Sequence, residues 1–282
     1  MGKRVEEMIF RVLMALSAAA VAGSLLMILG AVIVKGIPAM SLEMITMGPE
    51  GGFYLGGKGG VLNSIIGTLA LAIGATALAV LFSLPVALYL NIYRTRTSRL
   101  AAAVRLSLDV LSGVPSIVYG AFAFAIMLAI GLKASLLGGI IAVSLLIMPG
   151  MTRGIDELIR LVPVELVEAS FALGANRLET AMKVVTRQIL PGMVSAVLLA
   201  FGRGIGDAAS VLFTTGFTDR VTVSLLEPVA TLPLAIFFQL GSPLPEVQQR
   251  AYASAFILTA MIMALSLAAR LLAAKCARHT VK

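Results

Sequence analysis

Two ionisable residues stand where an apolar run should exclude them: Arg203 and Asp207, inside the stretch from Ile189 to Phe213. Four residues apart on a helix, they share one face and are spaced to pair. At membrane depth an ionised side chain costs several kcal/mol unless it is paired or wetted, so both are expected to face a bundle interior or a water-filled cavity. Two roles stay open. One is a plain salt bridge. In the other, Arg203 lends positive potential to a path for an oxyanion, and Asp207 positions it or restrains it when the path is empty. An arginine fork suits tetrahedral oxyanions, and its charge does not titrate away at neutral pH. Gly202, Gly204 and Gly206 strip side chains from around the pair and permit close helix approach or a local break.

A second constellation lies just before that run. Arg153 to Gln188 is the most polar part of the chain, and its punctuation predicts two short helices. Pro163 fits a first helical turn, where its missing N–H is no loss, and the run from Val164 to Leu173 stops at Gly174. The second helix covers roughly Arg177 to Gln188, limited by Pro191, which opens the next span. At the corner stands Ala172-Leu173-Gly174-Ala175, a small, weakly polar knob that suits a groove in another protein. Near the start of an earlier span, Asp109 is expected to cap a helix or to pair with Arg105 at i−4. Gly113 and Pro115 beyond it mark a kinked or unwound helix start.

Other chemistries are excluded. One cysteine, Cys276, and one histidine, His279, rule out a disulfide framework, a zinc site and a histidine triad. Gly52 to Gly59 spells GxxxxGKG, but Gly59 stands where a magnesium-binding Ser or Thr belongs, and no strand or helix flanks it. Gly-x-Gly-x-Gly at 202 to 206 has no βαβ unit around it. No catalytic set, metal site or cofactor is expected, and the fourteen methionines read as core filler.

The elements that must position these residues follow from composition. Of the 282 residues, 59% are hydrophobic and 13% charged, with a mean hydropathy of +1.01. Soluble domains carry about twice that charge, so the bilayer is the solvent. Apolar runs predict six spans: Val12 to Val34, Val61 to Tyr93, Val110 to Leu132, Ala134 to Thr152, Ile189 to Phe213 and Tyr252 to Ala269. The first is longer than a signal-peptide core and is expected to stay as an anchor. With the N-terminus inside, sixteen Lys and Arg fall on the cytoplasmic side and five outside. This places both termini in the cytoplasm. The net charge of +8 thus reflects topology and not nucleic acid. Outside, Lys35 to Gly60 is expected to be a flexible glycine-rich loop. Thr214 to Arg250 is expected to hold a re-entrant or interfacial helix at Leu232 to Leu240.

Glu168-Ala169-Ser170, then Gly174, then Ile189-Leu190-Pro191 resemble the EAA loop of ABC importer permeases, with Ser170 where alanine is usual. Gly59-Gly60-Val61, Gly67-Thr68, Gly113 to Gly120 and Gly202 to Asp207 look like phosphate permeases. In these, glutamate is usual at the position of Asp207. Gln248 to Ala253 looks like the PstA member of that family and not its PstC partner. The resemblance implies an all-α polytopic membrane protein of the type I ABC importer permease fold, with six transmembrane helices, in the plasma (inner) membrane. Residues 1–58 would hold the first span and an outer loop, 59–272 the permease core with a coupling segment at 153–190, and 273–282 a tail. It implies coupling to an ATPase through Glu168, Ala169, Ala172, Leu173, Gly174 and Ala175, and a translocation path through Arg203 and Asp207. Implied partners are membrane lipid, a PstC-like second permease, a PstB-like ATPase pair and a PstS-like binding protein. The chain itself would hydrolyse nothing. A permease for molybdate or sulfate stays open, as does a secondary transporter or channel using Arg203 and Asp207 as an ion relay.

Overall fold

The computed structural model describes residues 2–50, 58–94 and 98–276, and over them the chain is helical with no strand. The glycine-rich 52–57 and His279 lie outside the described residues. Helix α1 spans Gly2–Gly36, and a 3₁₀ turn (Ile37–Ala39) and the short α2 (Leu42–Thr46) follow. The expected loop from Lys35 to Gly60 is thus partly ordered, and a bridge between Pro49 and Gly59 closes it. Helix α3 (Leu62–Leu88) is prolonged by a π-helical turn, Tyr89–Tyr93. Helices α4 (Arg99–Ser112) and α5 (Ser116–Ala129) meet at 102°. Then come α6 (Leu136–Arg160), α7 (Val164–Ala172) and α8 (Arg177–Glu179). A π-helical segment, Thr180–Val185, carries α8 directly into α9 (Thr186–Ile205). Helices α10 (Leu232–Leu240) and α11 (Pro245–Cys276) complete the chain.

Five of these elements are long and apolar enough to cross a membrane, and the bent α4–α5 pair makes a sixth. The third span expected over Val110 to Leu132, with a kinked or unwound start at Gly113 and Pro115, is broken there into two fourteen-residue helices, the first of which begins earlier, at Arg99. The break falls at Gly113–Pro115 because Pro115 biases Val114 away from helical backbone and has no N–H to continue the ladder. Tyr119 spans the corner, its hydroxyl donating to the Leu111 carbonyl at 2.8 Å.

The fourth span also differs from expectation. Helix α6 does not end near Thr152 but continues to Arg160. The charges that argued for a loop there are neutralised. Asp156, with no exposed side-chain surface, accepts a two-toothed fork from Arg105 of α4, Nε at 2.9 Å and an Nη at 3.0 Å. It also accepts from Asn91 at the end of α3 at 2.7 Å and from Arg153 at 3.1 Å. Arg105 thus pairs with Asp156 and not with Asp109, whose partner is Arg153 at 2.7 Å. Asp109 is no helix cap either, since it lies inside α4.

The core is the α3–α6 seam, where Leu71, Ala75 and Ala79 are buried with Ile140, Val143 and Ile147. The small residues let the two backbones approach, the usual means of helix association where lipid removes the hydrophobic drive. Beyond α9 the chain from Gly206 to Thr231 is irregular yet folded into the bundle, with Ser210, Thr214, Val229 and Ala230 almost fully buried. Irregular backbone at such a depth must be satisfied from within. It caps α6: Leu136 and Leu137 donate their N–H groups to the carbonyls of Glu227 and Leu225 at 2.9 and 2.8 Å. Gly67 of α3 is held against this segment, where a Cβ would stand 2.1 Å from the Ala230 carbonyl oxygen. A helix is present at Leu232 to Leu240, where a re-entrant or interfacial one was expected: α10, buried along Leu232, Leu234 and Ala235.

Asp156→Ala leaves two guanidinium groups without their common acceptor. It should destabilise the protein by about 3–5 kcal/mol, as removing one partner of a buried pair does. Asp109→Ala removes a half-exposed partner and should change stability by no more than about 1 kcal/mol. Denaturant titration of the purified variants in one detergent separates the two.

Candidate coupling elbow and polar groove

The elbow begins at Pro163, which precedes α7 with extended backbone (ψ 134°) and so starts the helix without leaving a donor stranded. It ends in a Schellman motif. Gly174 takes φ +86°, its N–H donating to the Phe171 carbonyl at 2.9 Å, and the Ala175 N–H reaches back to the Ser170 carbonyl at 3.1 Å. A Cβ at Gly174 would meet nothing within 4 Å, so backbone conformation and not crowding within the chain calls for glycine. One residue after Ala175 the chain restarts with a capping box. The Asn176 side chain accepts from the Glu179 N–H at 2.9 Å, while the Glu179 carboxylate accepts from the Asn176 N–H at 3.1 Å. The corner is thus fixed from both sides.

What the corner presents is apolar. Leu173 is 89% exposed, flanked by the exposed Phe171 and Leu178. Glu168, Ala169, Ala172 and Gly174 are also exposed, and Ala175 is half-buried. All six predicted elbow residues therefore gather on one turn of chain. Glu168 forms no ion pair among the described residues and is open to a partner.

Behind the elbow lie contacts that sequence reasoning missed. Ser170, the departure from the EAA pattern, points inward and shares a buried hydrogen bond with Thr180 at 2.9 Å. This fastens α7 to the π-helical segment below α9. Arg177 donates to the Tyr93 carbonyl at 3.3 Å and lies over the Tyr93 ring, joining the elbow to the end of α3. Only the serine carried a signal, because a hydroxymethyl replaces a methyl in an otherwise apolar turn. Pro191 also departs from expectation. It lies inside α9, which runs on unbroken from Arg177 through the π-helical segment.

At the other end of α9 the predicted pair is not formed. The helix stops at Ile205 and Gly206 caps it, so Arg203 and Asp207 no longer share a helical face. Asp207 instead accepts from the N–H and hydroxyl of Ser210 and shapes the buried turn that follows. Aspartate favours such local hydrogen bonding over continuing a helix. The fifth span thus ends eight residues before the expected Phe213. Arg203 faces an open groove between α9 and α11 and makes no ion pair among the described residues. Gly204 is the glycine that packs, against Val143 of α6.

The chain is 36% identical to the phosphate transport system permease protein PstA 1 of Mycobacterium tuberculosis (strain CDC 1551 / Oshkosh) over 216 residues, covering 76% of this chain and 70% of the relative. It is 32% identical to the PstA permease of Haemophilus influenzae and 33% identical to that of Yersinia pestis. These matches cover 86% and 89% of this chain and 85% and 84% of the two relatives. A chain of the MetNI methionine ABC transporter in an inward-facing conformation superposes with a TM-score of 0.64 at 18% identity, covering 76% of this chain and 95% of that one. That likeness shows the fold. The profile described as binding-protein-dependent transport system inner membrane component matches residues 83–281, more than half of the chain. With this match and these relatives, the chain belongs to this family of inner-membrane permeases.

Proposed function

We propose that this chain is the permease subunit of an ATP-driven importer of inorganic phosphate, with both termini and the elbow on the cytoplasmic side. The observation that carries the reading is the elbow, an apolar knob on a corner locked by a Schellman motif and a capping box. A corner of that kind transmits a push, whereas a flexible loop absorbs it. The kinship to PstA permeases supports phosphate as cargo. A PstB-like ATPase pair would seat the elbows of this chain and of a PstC-like second permease, and a PstS-like protein would deliver the anion outside.

Force applied at Leu173 has three routes into the membrane. One passes through Ser170 and Thr180 into α9, a second through Arg177 and Tyr93 into α3, and the third along α7 to α6, which Asp156 locks to α3 and α4. ATP binding would close the ATPase pair, move the elbows and switch the spans from inward-open to outward-open. Hydrolysis would reset them. Arg203, unpaired at membrane depth, faces the path, and Asp207 shapes the turn beyond it.

The test is phosphate uptake by vesicles holding the assembled complex with ATP inside the ATPase compartment. Uptake driven by an ion gradient with no ATPase present would overturn the reading, and full competition by molybdate or sulfate would change the cargo. Gly174→Asp forces a charge and a side chain onto a positive-φ corner. It should lower ATP-driven uptake by about 5- to 150-fold, the span of ordinary coupling energies, while the protein still inserts. Arg203→Gln should lower uptake and leave ATPase co-purification intact. Ser170→Ala orphans the Thr180 hydroxyl at a local cost of about 1–3 kcal/mol, so hydrogen exchange along α7 should quicken while that of α6 does not change.

A further inference from the structure

The groove that Arg203 faces has a volume of about 730 Å³ and is lined from two helices. Ser195, Leu199 and Arg203 recur every fourth residue on α9 and so form one stripe. Ser266 and Arg270, also four apart, face them from α11. Ser195 lies eight residues from Arg203, roughly 12 Å along the helix axis. All five side chains are exposed in the isolated chain, and neither arginine forms an ion pair among the described residues. Elsewhere the chain pairs its arginines near the bundle: Arg105 and Arg153 are held by carboxylates. This groove is different, since no carboxylate lines it.

A guanidinium in an apolar span with no counter-charge must face water, so the Arg203 stripe cannot face lipid. Each free guanidinium offers up to five N–H donors in a planar fork, and each serine adds an O–H donor. Two cationic donors with no carboxylate beside them match a tetrahedral oxyanion, and the serine hydroxyls can donate to its bare oxygens or accept from a P–OH. The hydroxyls of Ser195 and Ser266 stand where an anion leaving Arg203 would otherwise have to shed its water without replacement.

We propose that Arg270, with Ser195 and Ser266, forms a second oxyanion site on the same path as Arg203, nearer the C-terminal end of α11. The proposal rests on the importer reading and extends it to residues outside the elbow and the Arg203 turn. Arg270 is not needed for membrane orientation, because Lys275, Arg278 and Lys282 keep the tail basic.

The experiment uses the assembled importer in vesicles. Arg270→Gln should lower phosphate uptake about tenfold or more, the effect of losing one charged hydrogen-bonding partner. Ser195→Cys and Ser266→Cys, each made with Cys276→Ser, should react readily with a charged, membrane-impermeant thiol reagent, and inorganic phosphate should slow the reaction. If the unsubstituted complex takes up phosphate and Arg270→Gln matches it, the second site is refuted while the importer reading stands. Thiols that resist the charged reagent would mean a dry packing seam and also refute the site. If the unsubstituted complex takes up no phosphate, the importer reading fails by itself. The thiol reactions in the presence of phosphate or sulfate then decide whether the groove holds an oxyanion.

Discussion

A single carboxylate with no exposed surface, Asp156, holds three helices together at the end of the bundle that bears the elbow. A buried charge is tolerated only when its lone pairs are filled, and here Arg105, Arg153 and Asn91 fill them from α4, α6 and the end of α3. Such a pairing contributes little net stability over an apolar core. What it contributes is geometry, because each partner must stand in one place for the set to close. The bent α4–α5 pair needs an anchor of this kind, since α4 is too short and too charged to hold itself in an apolar bundle. Asp156 thus ties α4, α3 and α6 at one point.

How much of this was legible in the sequence depended on the range of the interaction. The elbow was legible because its signals are local: Pro163 opens a helix, Gly174 closes it, and nothing distant decides either. The break at Gly113–Pro115 was legible for the same reason, although its 102° angle was not. Asp156 was not legible as an anchor. Its fork comes from a residue 51 positions away, and one sequence holds no trace of which arginine a given carboxylate meets. The Arg203–Asp207 pair failed because spacing of four implies a shared face only while the helix lasts, and Gly206 with the Asp207–Ser210 hydrogen bonds ends it. Pro191 misled in the opposite sense, since it lies inside α9 and the helix continues past it.

The two ends of α9 are built to different rules. At the elbow end the polar groups behind the corner are joined within the chain, by capping, by Ser170 with Thr180 and by Arg177 with Tyr93, while Glu168 stays exposed. At the groove end Arg203 is unmatched and water must complete its shell, which is what a moving anion can replace. On the proposed reading, the joined contacts at one end of this helix would serve mechanical coupling and the unmatched arginine at the other would serve cargo recognition.

The capping of α6 by the segment that follows α9 has a consequence for biogenesis. Leu136 and Leu137 lend their N–H groups to carbonyls made about 90 residues later in the chain. At translation speeds of roughly 5–20 residues per second, the ribosome needs some 5–20 s to supply them. During that interval the start of α6 is a helix whose first amides lack their final acceptors, and it must rest at the interface where lipid headgroups or water serve as temporary ones. The nascent bundle therefore remains unsealed at that end until the chain has emerged as far as Glu227.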